Sequence, residues 1–327
     1  MSISSFPRGV LKKIFQYVDW KTLKNVRLVS RLFNDIVESY EEEMQKPELY
    51  NLSIDWSTRN DGSHSLLMDV GFDGNINLDD SLFINVNEDD RQYAELDFIL
   101  NKMNFNDIDV LEINTDGDTR VFDILRRSFE NKIVKVNSLD ISVHKYPNFE
   151  NFIAFLRTLT GVKFFALHHL CFEGTEIPTN FFLPPLESII DITIMECPCT
   201  NFMNEVSLKY LFENNHYLES LIAFTFRKNI EKIIIDLIIE HMNFIENGEC
   251  INNDFEVTFA RERRDKKIED IYLEHFHGTG YQLIDVKNLP NISNYTVTKE
   301  CSFCSKPKVI VVKLEYVDKD LSIFCNV

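Results

Sequence analysis

Apolar positions change their period twice along this chain. Between Pro7 and Val18 they fall at Val10, Leu11, Ile14, Phe15 and Val18, with Arg8, Lys12, Lys13 and Gln16 opposite, which is the spacing of an amphipathic helix. Ser4-Ser5 ahead of Phe6-Pro7 marks its start, because serine caps and proline has no N–H to leave unpaired in the first turn. Asp19 is expected to cap a second, short helix from about Lys21, with Leu23, Val26, Leu28 and Val29 inward. Arg31, Leu32, Phe33, Ile36 and Val37 continue the period into a third helix that closes at Glu41-Glu42-Glu43. A bundle this small is marginal by itself. So many apolar side chains in so short a segment demand a partner surface.

From Tyr50 the period shortens to strict alternation. Leu52, Ile54 and Trp56 precede Asn60-Asp61-Gly62, and Leu66, Met68 and Val70 follow it, a hairpin pattern. A further strand is expected at Leu82, Ile84 and Val86. A longer rhythm then sets in. Short strands of the form L-x-I, or near it, begin at Leu82, Leu111, Leu139, Phe165, Ile192 and Leu221, at intervals of 29, 28, 26, 27 and 29 residues. Amphipathic helices fill most of the gaps, at Tyr93 to Met103, Val121 to Phe129, Phe149 to Leu159, Val206 to Phe212 and Ile230 to Ile245. The gap from Glu173 to Ile189 holds Pro178, Pro184 and Pro185 and is expected to be extended. Past Asp254 the pattern turns strand-like at Phe255-Val257-Phe259, Ile268-Ile271-Leu273, Tyr295-Val297 and Val309 to Leu314.

Two family resemblances rest on these residues. Phe6-Pro7, Val10-Leu11, Ile14-Phe15, Tyr17 to Trp20, Leu23, Asn25 to Arg31 and Phe33, in that order, resemble an F-box, whose family role is to dock on the Skp-family adaptor of a cullin-based ubiquitin ligase. Phe6, Ser30 and Phe33 replace the Leu, Cys and Trp of many members, yet keep apolar or small character. The run Arg27-Leu28-Val29-Ser30-Arg31 also resembles the large F-box families of nematodes. The resemblance implies that Phe6, Pro7, Val10, Leu11, Ile14, Phe15, Leu23, Val29 and Phe33 contact the adaptor. The strand-helix rhythm resembles a leucine-rich-repeat solenoid, in which each unit buries its face on the next. The Asn or Cys that ladders between turns of regular repeats is absent, and a sheet covered on both faces would give a similar alternation.

The expected fold is therefore α+β: a three-helix F-box over 1–46, an irregular leucine-rich-repeat-like α/β solenoid over 47–250, and a β-rich C-terminal cap over 251–327. In such a stack the residues alternating with L-x-I face outward: Glu112, Asn114, Asp140, Ser142, Ala166, His168, Thr193, Met195, Ile222 and Phe224. A protein substrate is expected there, read through an acidic rim and an apolar end.

Charge and chemistry narrow the partners. A net charge of -18 repels phosphate backbones, so no nucleic acid is expected and a basic protein is the favoured substrate. Arg8, Lys12, Lys13 and Asp19 do not suit a signal peptide, and Ile233 to Ile239 is broken by Asp236, so a cytoplasmic or nuclear protein without a membrane span is expected. Seven scattered cysteines read as reduced thiols. Cys301-x-x-Cys304 is solitary, Cys197-x-Cys199 has the wrong spacing for a second pair, and His275 and His277 are taken to alternate on a strand. No metal and no cofactor are expected. None of the phosphate-loop, nucleophile-elbow or zinc-protease motifs is present, so no catalytic residue is assigned and the chain is read as a non-enzyme. A scaffold without a degradation role and a metalloenzyme built on the Cys and His residues are the alternatives.

Overall fold

A computed structural model describes residues 5–58, 64–72, 84–86, 89–117, 119–172, 175–178, 180–184, 186, 188–197, 200–225, 227–246, 249–250, 254–261 and 266–316. The chain opens with α1 (Arg8–Phe15), α2 (Trp20–Val29) and α3 (Arg31–Ser39), followed by a single 3-10 turn at Glu41–Glu43. Pro7 itself takes the N-cap position of α1, where its carbonyl accepts from the Val10 and Leu11 N–H groups, and no side chain caps that helix. Asp19 caps α2 as expected, accepting from the Thr22 N–H at 2.9 Å. Ser30 ends α2 in extended conformation and caps α3 through the Phe33 N–H at 3.2 Å, which separates two helices whose apolar period runs on unbroken. Leu11, Phe15, Leu23, Phe33, Ile36, Val37 and Met44 form the bundle core, with the Phe15 ring edge-on to Phe33 at 5.2 Å.

Among the described residues, the main sheet beyond the bundle has 12 strands. β1 (Leu49–Thr58), β2 (His64–Phe72) and β3 (Ile84–Val86) pair antiparallel, so the expected hairpin is present; its Asn60-Asp61-Gly62 turn lies outside the described residues. β4 (Asp107–Asp116), β5 (Val134–His144), β6 (Leu159–Leu170), β7 (Asp191–Glu196), β8 (Ser220–Phe224) and the strand Asp254–Arg261 lie side by side, all parallel. Between them run α4 (Asp89–Asn101) before β4, then α5 (Val121–Phe129), α6 (Phe149–Leu156), α7 (Glu205–Asn214) and α8 (Lys228–Met242). A two-stranded ribbon, β9 (Ile245–Glu246) with β10 (Glu249–Cys250), stands apart from the main sheet. β11 is the strand Asp254–Arg261; after it come α9 (Lys266–Gly278), β12 (Gln282–Leu289), β13 (Ile292–Glu300) and β14 (Pro307–Tyr316). The last of these returns parallel beside β11, and β13 and β12 extend the sheet antiparallel from it.

Because β4 to β8 and β11 are neighbours in chain order, every crossover steps the same way. Parallel crossovers take one hand, so the intervening helices gather on one face. Burial agrees with this: Leu52, Leu111, Leu139, Phe165, Ile192, Leu221, Val257 and Val312 are in register and buried, as are Ile54, Ile113, Ile141, Leu167, Ile194, Ala223, Phe259 and Leu314. The residues between them, such as Glu112, Asp140, Thr193 and Ile222, stay half-exposed. Within the run β4-β5-β6-β7-β8-β11 the strands keep chain order, without the switch point that a parallel sheet covered on both faces uses; the order changes direction only at its two ends, beside β1 and beside β14. Aromatic rings fill the space under the helices, with Phe122, Phe152, Phe155, Phe149, Phe172 and Phe202 in mutual contact at 5.1 to 6.5 Å. Backbone bonds tie consecutive turns where side-chain ladders are missing: Gly117 N–H to the His144 carbonyl, Tyr146 N–H to Cys171, and Cys197 N–H to Leu170.

Several expectations change here. β3 is an edge strand on β2, and β1 takes the place beside β4, so the interval from Leu82 to Leu111 is not a repeat of the parallel series. Leu82 lies outside the described residues. Ile268 to Leu273 is helical, within α9, where a strand was expected. The strands expected to cap the end continue the same sheet and share its core. Cys197 is disulfide-bonded, against the expectation of thiols throughout. No helix among the described residues is long and apolar enough to cross a membrane.

Candidate functional site

The nine side chains expected to meet an adaptor divide sharply. Leu11, Phe15, Leu23 and Phe33 are buried within the bundle and hold its helices together. Pro7 is exposed, and Phe6, Val10 and Ile14 keep 39%, 42% and 40% of their surface in solvent. Val29 keeps 69%. Leu28 and Val29, expected to point inward, project outward from the C-terminal end of α2, where the helix period gives way to the Ser30 cap. Two side chains left out of the expected set are more exposed still: Tyr17 at 85% and Leu28 at 84%. Phe6, Val10, Ile14 and Tyr17 follow one another at four, four and three residues, so α1 carries one apolar stripe toward Leu11 and Phe15 and a second, uncovered one beside it. Apolar residues on both stripes of a short helix were the available signal for this second face.

The bundle is fixed to the sheet rather than hanging from it. The Trp20 ring lies 5.2 Å from Phe72, Lys102 pairs with Glu41 at 2.9 Å, and Asn104 N–H donates to the Pro47 carbonyl. None of these contacts uses the exposed stripe.

On the uncovered face of the sheet, register places the expected outward residues in two rows. Ser53, Glu112, Asp140, Ala166, Thr193 and Ile222 form one; Asp55, Asn114, Ser142 and His168 form the next. Neighbours touch across strands: Ser53 donates to Glu112 at 3.2 Å, Asp140 lies 3.4 Å from His168 Nε2, and His168 Nδ1 lies 3.3 Å from the Met195 sulfur. Ser142 and Phe224 sit on this face but are covered to 9% exposure, so they support the rows more than they present surface. His144 and His169 stack at 4.9 Å beside the second row, and burial pushes both imidazoles below the usual histidine range. A groove of about 310 Å³ opens at the other end of the same strands, lined by Tyr50, Asp109, Lys135, Asn137 and Lys163 among others.

The cysteines behave differently from their spacing. Cys250, at the end of β10, brings its sulfur to the Cys301-x-x-Cys304 turn between β13 and β14, and the three sulfurs lie within 4.8 Å of one another. Backbone N–H groups of Cys304 and Phe303 face the Cys301 sulfur and hold that thiol down to about 7, while the Cys304 thiol and partial burial push Cys250 up to about 11. His275 is elsewhere: on α9 it pairs with Asp236 of α8 at 2.5 Å, and His277 lies two residues further on the same helix. The buried carboxylate of Glu196 is likewise structural, since Thr225, the Met203 N–H and Arg227 all meet it.

Residues 3–42 match the family model for the F-box domain. The chain thus carries an F-box, and the three-helix bundle is that domain. F-box domains in general bind Skp-family adaptors, and the proteins that carry them are typically non-catalytic substrate-recognition parts of cullin-based ubiquitin ligases. No similar curated protein and no similar solved structure was found for the chain.

Proposed function

We propose that this protein is the substrate-recognition subunit of a Skp-cullin-F-box ubiquitin ligase, with no catalytic residues of its own. The observation that carries the reading is the exposed apolar set on a bundle whose core is already complete: Phe6, Pro7, Val10, Ile14 and Tyr17 on and before α1, with Leu28 and Val29 on α2. Such a set is suited to an apolar partner and leaves the sheet free. The adaptor covers it and brings a cullin with it.

The sheet then presents a protein substrate on its uncovered face, in the manner of a leucine-rich-repeat-like solenoid spanning about 47–250, with the strands beyond closing the far edge. Support for the solenoid reading comes from the chain-ordered parallel strands and the helices gathered on one side. Glu112, Asn114, Asp140, His168 and Thr193 form a polar stretch, and Ile222 with Met195 an apolar one, so a basic segment with an apolar anchor fits it best. These parts work in the cytoplasm or nucleus, where the ligase acts.

Affinity purification of the full chain tests the reading. A Skp-family adaptor and a cullin should both co-purify. Recovery of the adaptor without a cullin would favour a scaffold role outside degradation, and recovery of neither would reject the proposal.

A further inference from the structure

We propose that Cys250, Cys301 and Cys304 form a zinc site that fastens the β9–β10 ribbon to the turn between β13 and β14. Three sulfurs already converge: Cys250 and Cys301 are 3.5 Å apart, and all three lie within 4.8 Å of one another. A tetrahedral zinc ion with zinc–sulfur bonds of ~2.3 Å needs sulfurs about 3.8 Å apart, so the cluster requires only small adjustments to close on an ion. No fourth Cys, His, Asp or Glu joins the cluster among the described residues, and solvent takes the remaining position.

The turn itself is built to hold a thiolate. The Ser305 N–H donates to the Cys301 carbonyl at 2.9 Å, and the Cys301 N–H donates to the Lys306 carbonyl at 2.9 Å. Ser305 adopts φ +57°, which bends the chain back immediately after Cys304. Within the turn the Phe303 and Cys304 N–H groups face the Cys301 sulfur, an arrangement that supports a negatively charged sulfur ligand from its second shell. Lys308, buried to 1% exposure, places a positive charge whose field reaches Cys250. Three thiolates on a divalent ion carry one net negative charge, which this ammonium offsets.

The ribbon also needs such a fastening. β9 and β10 have two residues each and, among the described residues, pair only with one another, outside the main sheet. An isolated two-stranded hairpin is marginal in water, far more so at this length. A metal bridge from Cys250 to a turn 51 residues later closes a long loop, the circumstance in which a cross-link restricts the unfolded chain most. Soft thiolates select zinc or copper(I) among common ions, and a tetrahedral position left to solvent suits zinc.

The full chain, purified with its adaptor from cells grown with zinc, should contain about one zinc per chain by inductively coupled plasma mass spectrometry. Cys301→Ser combined with Cys304→Ser should remove it. Because that variant could fail to fold, the unmodified protein is also alkylated with iodoacetamide before and after chelation. The three cysteines should be protected until zinc is withdrawn, then react together. Zinc near zero in folded protein, copper in its place, a Cys250–Cys301 disulfide in freshly isolated material, or alkylation unaffected by chelation would each overturn the proposal.

Discussion

Truncating Leu28 and Val29 together to alanine is the sharpest test of where the adaptor sits. Full burial of a large aliphatic side chain is worth roughly 1.5 to 3 kcal/mol. Leu28 has 84% and Val29 69% of its surface still to bury, so scaling that range and subtracting the retained Cβ gives roughly 2 to 4 kcal/mol for the pair. In a bimolecular titration that is a loss of about 30- to 900-fold in affinity. The same arithmetic gives Val10 and Ile14, each near two-fifths exposed, about half as much apiece, so the end of α2 outweighs the middle of α1. The assay is isothermal titration of purified adaptor into the full chain, with the melting temperature measured alongside. Neither residue supports the bundle core, so melting should be unchanged while affinity falls. Phe33→Ala is the contrast: Phe33 is buried against Phe15, and its removal costs roughly 3 to 5 kcal/mol of bundle stability, so binding and melting fall together. Affinity within twofold of the unmodified protein for the Leu28 and Val29 variant would refute the assignment of that surface.

Three further outcomes are expected. Charge reversal by Glu112→Lys with Asp140→Lys should weaken a basic substrate several-fold, more so at low salt, and leave melting within about 2 °C because both sites are half-exposed; a binding curve indifferent to the change removes this face from recognition. His144, His169 and His241 are all held below their ordinary value of 6.5 by burial, so the folded state binds protons more weakly than the unfolded one. Stability is then complete above that value and declines as pH falls through it, and His241→Gln should flatten the slope of melting temperature against pH; a profile level down to about pH 5 would contradict this. Phe152→Ala removes a ring touching Phe122, Phe149, Phe172 and Phe202 and should cost roughly 3 to 5 kcal/mol in urea unfolding, with a loss below about 1 kcal/mol counting against the aromatic layer as the centre of the core.

The sheet was largely legible because burial on one face forces alternation, and alternation survives in sequence. Val121 to Phe129 matches α5 end for end, and the L-x-I strands from Leu111 to Leu221 all lie in the parallel series. What failed were features without a local signature. Which strand stands beside β4 is decided by long-range pairing, so Leu82 and Ile84 looked like a first repeat although β1 holds that place. The stretch Ile268 to Leu273 offers too few apolar positions to tell two periods apart, and it is helical. At the bundle, spacing marks every apolar residue on a helix but not which of two stripes the third helix covers. Leu11 and Phe15 therefore fell inside, while Tyr17 and Leu28 emerged as the open ones. The sulfur cluster was invisible for a different reason: Cys250 lies 51 residues before Cys301, and only the fold brings them together.

A sheet clothed on one side separates two kinds of inheritance. Each half-exposed position in the outward rows lies between buried ones, so its side chain can be exchanged with little effect on the packing beneath. A lineage of such proteins can change the surface it displays, one strand at a time, while the architecture beneath stays the same.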